Sequence, residues 1–153
     1  MKKILVSLLM IVVLLCTTAC GGNEATSIDM NALYQSYTEY LPEMIQLDDK
    51  AMMDMYGVDK TLCKQAIIAN CTDGLKSDEV WLIEANDAES AATIAELAQS
   101  RVDREAQETK DYLPDQYKIV EKAQIIEDGN NVVLIISADV DAMIELYNSA
   151  KEG

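Results

Sequence analysis

Val132-Val133-Leu134-Ile135-Ile136 is apolar at every position. A strand with one wet face alternates apolar and polar residues, because successive side chains point to opposite sides. A run without alternation has both faces covered. The sheet that carries it therefore needs packing elements on each side, and the rest of this chain must supply them. Asp128-Gly129-Asn130 is a strong turn signal, so Lys118–Glu127 and Val132–Ser137 read as a hairpin. Lys64–Cys71 and Val80–Ala85 read as a second pair of strands, with Asp73-Gly74 supplying turn chemistry between them.

Helices fill the remaining segments. Asp29 suits the N-cap of a helix with Met30, Leu33, Tyr34, Tyr37 and Leu41 on one face, stopped or bent by Pro42. A short helix is predicted from Asp48 to Tyr56, closed by Gly57. Asn86 and Glu89 open a long helix in the manner of a capping box. Its stripe of Ala91, Ile94, Ala95, Ala98, Val102 and Ala106 is narrow enough to lie close on a sheet. Glu96, Arg101, Asp103, Arg104, Glu105 and Lys110 read as its solvated face, and Pro114 ends it. A last helix, Val140–Ala150, presents Val140, Met143, Ile144 and Tyr147. The expectation is one α+β domain over residues 29–153, a four-stranded antiparallel or mixed sheet packed by helices in the order ααββαββα.

The chain begins MKKILVSLLMIVVLLCTTACGG. Ile4 to Cys16 is an apolar run of about 20 Å as a helix, too short for a hydrocarbon core of about 30 Å. Lys2 and Lys3 before it and small residues after it make a secretory signal. Ala19, Cys20 and Gly21 resemble the cleavage site of a bacterial prolipoprotein, although Thr17 stands where that pattern most often has Leu. The resemblance implies a signal peptide over residues 1–19 and diacylglyceryl on Cys20. Residues 20–28 form a short tether, and Gly21 to Ile28 reach at most about 28 Å. The expected location is the outer face of the cytoplasmic membrane, anchored through the lipid on Cys20.

Charge and missing residue types exclude several functions. The formal net charge is −15, and it becomes −17 once Lys2 and Lys3 leave with the signal. Phosphate backbones and anionic head groups repel such a chain, so a nucleic-acid partner is not expected. Histidine is absent, which removes Ser-His-Asp and Cys-His nucleophiles and His-ligated metals. No Gly-rich phosphate loop and no G-x-S-x-G occur. Cys63 and Cys71 are the thiols left in the working domain. An oxidising side of the membrane permits a bridge between them, but on one extended strand they stand roughly 26 Å apart, far beyond disulfide reach, which favours free thiols.

Several residues were weighed as sites. Asp48, Asp49, Asp54 and Asp59 carry the oxygen ligands calcium prefers, but not at the spacing of the 12-residue loop. Helix caps and surface charge explain them more simply. Asp128, Asn130 and Asn131 answer to turn geometry, and Asp139 and Asp141 to the start of the last helix. Glu84 interrupts an apolar strand, where burial would raise its pKa and make it a functional candidate; an edge or rim position is the simpler reading. Trp81, Tyr112 and Tyr117 are candidates for a peptide or glycan groove, with core and rim packing as the simpler reading. No catalytic, cofactor-binding or metal residue is assigned, and no cofactor is expected.

Tyr56-Gly57-Val58-Asp59, Asp78-Glu79-Val80-Trp81-Leu82-Ile83, the long helix, Tyr112-Leu113-Pro114-Asp115-Gln116-Tyr117, and Gly129 leading into Val132–Ser137 with Asp139 resemble a family. It is a family of uncharacterised lipoproteins, mainly of Firmicutes and especially Clostridia, that carry a domain of unknown function. The resemblance spans roughly residues 43–150. It implies a Gram-positive envelope lipoprotein with a small α+β domain and brings no activity or catalytic residue. The expected role is a non-enzymatic binding or accessory domain for an envelope protein or small ligand. The alternatives are a hydrolase with paired carboxylates and a calcium-dependent module.

Overall fold

The computed structural model describes residues 27–152. The signal, Cys20 and most of the tether lie outside the described residues. Among the described residues the fold is α+β, with five helices and a five-stranded antiparallel sheet. In chain order the elements are α1 (Met30–Tyr37), β1 (Met44–Gln46), α2 (Asp49–Tyr56), β2 (Cys63–Cys71), β3 (Glu79–Ala85), α3 (Ala88–Thr109), α4 (Pro114–Val120), β4 (Gln124–Asp128), β5 (Asn131–Ile136) and α5 (Val140–Glu152). A 3₁₀ turn, Lys60–Leu62, leads into β2. Across the sheet the strands run β1-β2-β3-β5-β4, and every pairing is antiparallel.

The four-strand sheet and the order ααββαββα are therefore corrected in two places. Strand β1 was missed because Met44-Ile45-Gln46 is three residues long and shows no alternation. Its pairing partner, Cys71–Ala69, makes it a strand. The β-branched pair Ile119-Val120 favours a strand, but Lys118–Val120 ends helix α4. Pro114 does not terminate α3, which stops at Thr109; it stands at the first positions of α4, where a missing N–H costs nothing.

Caps set the helix limits. The Asp29 carboxylate accepts from Asn31 N at 2.9 Å and Ala32 N at 3.1 Å. Asp48 caps α2 by accepting from Ala51 N at 2.7 Å. Asp87, not Asn86, caps α3 by accepting from Ser90 N at 2.8 Å. Helix α1 ends at Tyr37, so Leu41 reaches the core from the turn after it. Gly57 closes α2 at φ +73°, a left-handed position that favours glycine. Gly129 has φ +60° while Asn130 does not, the pattern of a type II′ hairpin turn between β4 and β5.

Both faces of the sheet are covered, as the unbroken apolar run requires. Ile67, Ala69, Val80, Leu82, Val133 and Ile135 face α1 and α5, along with Tyr37, Met143 and Tyr147. Ile68, Trp81, Ile83, Val132, Leu134 and Ile136 face α2, α3 and α4. The small residues Ala91 and Ala98 are fully buried and bring α3 close to the strands. Ile28 is buried with the first of these clusters. Among the described residues, no helix is long and apolar enough to cross a membrane.

Candidate functional site

The central strand β3 carries two glutamates, five residues apart in sequence, so alternation sends them to opposite faces. Each lies near a different end of the sheet. Glu79 shares its face with Trp81 and Ile83, beneath α2 and α3. Its register partner on β2 is Asn70, two residues beyond Ile68 on the same face. The core layer under α3 thus changes from apolar to polar at one rim, and a cluster of charges forms there.

Glu79 is only 2 % exposed. Arg101 reaches it from α3 with Nη2 to Oε2 at 2.8 Å and Nε to the same oxygen at 2.9 Å. Trp81 Nε1 donates to Oε1 at 2.7 Å, and the Tyr56 hydroxyl donates to Oε2 at 3.2 Å. The third arm of Arg101, Nη1, holds Glu105 Oε2 at 2.7 Å. The Ser77 hydroxyl donates to Glu105 Oε1, also at 2.7 Å. Because the Tyr56 oxygen spends its proton on Glu79, it accepts from Asn70 Nδ2 at 2.5 Å. The Tyr56 ring lies 5.1 Å from Trp81 and 5.4 Å from the Arg101 guanidinium, within cation–π range.

Arg101 and Glu105 were read as part of the solvated helix face, and the structure corrects that. Their side chains are 12 % and 13 % exposed. The buried row of α3 runs Ala91, Ile94, Ala98, Arg101, Glu105, in steps of three and four. That row was visible in the sequence; what hid it was the expectation that a charged residue leaves the stripe.

A cleft of about 360 Å³ opens beside this network, lined by Asn70, Lys76, Ser77, Asp78, Arg101 and Glu108 among others. A second hollow of about 410 Å³ adjoins it, with Tyr56, Arg104 and Met55 added to the shared Asn70, Arg101 and Glu105. Burial raises the Tyr56 hydroxyl to about 12, with the Glu79 charge adding to it. Burial works against the Arg101 charge, but the bonds from Glu79 outweigh it and hold the guanidinium above its ordinary range. Burial also raises Asp78, opposed by Lys76. Near the cleft, Leu75 and Tyr112 are 67 % and 85 % exposed.

Chemically, the two glutamates of this network are saturated, while Asn70 Oδ1, buried in the cleft wall, has no hydrogen-bond partner. Both oxygens of Glu79 and both of Glu105 already accept hydrogen bonds. Ser77, 4 % exposed, has its hydroxyl proton on a carboxylate that Arg101 neutralises. Such a serine is a poor nucleophile, because neither access nor a free base is provided. The groups open to a ligand are Lys76, Asp78, Arg104 and Glu108, on the surface of a rigid charged base.

Apart from Trp81, the other candidate residues lie outside this cluster. Asp48 caps α2, Asp54 pairs with Lys50, and Asp59 accepts from Thr61 N at 2.8 Å. Among the described residues no group of three or more Cys, Asp or Glu side chains is placed to hold a metal ion. Asp128 pairs with Lys151 and accepts from the Tyr147 hydroxyl at 3.3 Å. Trp81 is fully buried, Tyr112 is exposed and Tyr117 half-buried, so these three line no common groove. Cys63 and Cys71 are free thiols at the two ends of β2, half-buried; burial pushes the Cys63 thiol up.

Glu84 lies on the central strand rather than at an edge, and is 7 % exposed. It accepts from Gln65 Nε2 at 2.9 Å, Lys64 Nζ at 3.1 Å and the Ser27 hydroxyl at 3.3 Å. Burial raises its pKa, but these donors win and leave the carboxyl below its usual range. Its role is to fasten the incoming chain at the end of the sheet away from the cleft. Gln65 joins it there by donating to the Ile28 carbonyl at 3.1 Å and accepting from Met30 N at 3.2 Å.

Comparison with curated proteins and with solved structures finds no match. One family model matches residues 36–137, which contain the whole Glu79–Arg101 network and all five strands. That span is two thirds of the sequence, and the chain belongs to the family described as Domain of unknown function (DUF4358).

Proposed function

We propose that this protein is a non-enzymatic binding or accessory domain, tethered by lipid on Cys20 to the outer face of the cytoplasmic membrane in a Gram-positive, Firmicutes-type envelope. The observation that carries the binding role is the pair of saturated glutamates. Glu79 and Glu105 are held by Arg101, Tyr56, Trp81 and Ser77, so the floor of the cleft is fixed charge, and Lys76, Asp78, Arg104 and Glu108 are the groups it leaves open to a partner. A preorganised charged floor with exposed Leu75 and Tyr112 nearby suits recognition of a partner. The sequence signal at Ala19-Cys20-Gly21 supports the anchor.

In-cell crosslinking of the lipidated protein, followed by mass spectrometry, tests this reading. One dominant envelope partner is expected, with crosslinks on the loop around Leu75 and the turn around Tyr112. Crosslinks scattered over the whole surface count against it. Metabolic lipid labelling tests the anchor separately: Cys20→Ser abolishes the label if the assignment is right.

A paired-carboxylate hydrolase is the second reading, and Asp78 is the observation that favours it. It lines the cleft and burial raises its pKa, as a general acid requires. Turnover of an envelope glycan that disappears in Asp78→Asn would establish it over the binding role.

A further inference from the structure

An apolar groove of about 430 Å³ lies between α1 and α5, lined by Ile28, Ala32, Leu33, Leu146 and Ala150. It is at the opposite end of the molecule from the Glu79 cleft. Strand β3 runs from Glu79, at the cleft, to Glu84, which holds Ser27. Helix α5 starts beyond Ile136, the register partner of Glu79, and returns so that its last turns meet the other end, where Lys151 pairs with Asp128. The described chain begins at Ser27, and its neighbour Ile28 is part of the groove wall.

We infer that this groove seats an acyl chain of the lipid carried by Cys20. The inference rests on the anchor reading above. Three observations support this occupant. Seven residues, Cys20 to Thr26, precede Ser27, and their reach of at most about 25 Å keeps Cys20 within range of the groove. The chain is fixed as it leaves, because Gln65 holds the Ile28 carbonyl and Glu84 the Ser27 hydroxyl. The groove also offers nothing for a charged partner: Asp29, its one ionic side chain, is occupied with the Asn31 and Ala32 amides. With an acyl chain in place, α1 and α5 lie toward the bilayer and the charged cleft faces away from it. A partner of the cleft then approaches from the cell-wall side.

The test feeds cells that make the full chain a fatty acid bearing a diazirine and an alkyne. After irradiation, adducts are mapped by mass spectrometry. Label on Cys20 with adducts on Leu33, Leu146 or Ala150 is the expected result, and Ala150→Trp, which fills the groove, removes the adducts while Cys20 stays labelled. Label on Cys20 with adducts only on phospholipid overturns the groove assignment and leaves the anchor intact. Groove adducts that persist in Cys20→Ser show that free membrane lipid is the occupant and overturn it too. No label on Cys20 at all overturns the anchor, and the groove assignment falls with it.

Discussion

Replacing Arg101 by Met removes a buried charge and keeps most of the apolar stem that packs against Tyr56. What remains is a Glu79 carboxylate, 2 % exposed, with two neutral donors in place of a bidentate cation, and a Glu105 carboxylate, 13 % exposed, held by Ser77 alone. Breaking a buried pair by deleting one partner costs about 3–5 kcal/mol, because the other charge stays without its counterion. Tyr56 and Trp81 still donate, so the lower end, about 3 kcal/mol, is expected here. For a domain of this size that is a fall in Tm on the order of 10 °C. Trp81 is the single tryptophan and touches the site, so its fluorescence in urea reads the unfolding directly. Adding Glu79→Gln removes the more deeply buried of the two stranded charges and keeps an acceptor for Trp81. The double variant should therefore be more stable than Arg101→Met alone, by about 1 kcal/mol or more. A loss under about 1 kcal/mol for Arg101→Met is the behaviour of an exposed pair and would refute the buried-network argument.

Three further predictions address other parts of the fold. Gly57→Ala should cost about 1 kcal/mol through the left-handed backbone alone, since the added Cβ meets only Leu97 Cδ2 at 3.6 Å, while Gly74→Ala, facing open space, should be near neutral; equal urea midpoints for the two would contradict this. Glu84 has a lowered carboxyl pKa in the fold, so near pH 4 the unfolded chain binds more protons than the native one, and this contribution is present above the ordinary value of 4.5 and lost as pH falls through the lower folded value. Thermal melts should show a shallower pH slope between about pH 5 and pH 3 in Glu84→Gln, and an unchanged slope would rule the Glu84 linkage out. Cys63 and Cys71 should each take one alkylating group after denaturation without reductant, and a mass corresponding to a Cys63–Cys71 bridge would mean that β2 is not one continuous strand.

Much of the fold was legible from local chemistry. Asp29 and Asp48 announce helices because a carboxylate can satisfy backbone amides that the first turn leaves open. The unbroken run in β5 requires cover on both faces, and two helical layers supply it. Short or exposed elements were not legible. Strand β1 is set by its partner β2, and three residues carry too little pattern to show it. Helix α4 was hidden by β-branched residues that prefer strands, while Pro114 at its start and the Asp115–Lys118 pair favour the helix.

The sequence by itself determined the covered sheet, the Asp29 and Asp48 caps, the hairpin turn, the acidic charge and the likeness of the N-terminus to a lipoprotein signal. These follow from periodicity, turn chemistry and charge, each of which acts within a few residues. Only the tertiary structure decided what Glu79, Arg101, Tyr56, Asn70, Ser77 and Glu105 do together. They come from β2, β3, the loop between them and two helices, and the energy that makes them a unit is a buried charge finding its counterion across 22 residues of chain. It also decided that the cleft and the apolar groove sit at opposite ends of β3, because Arg101 of α3 meets the Glu79 end while Ser27 and the last turn of α5 meet the end at Glu84 and Asp128.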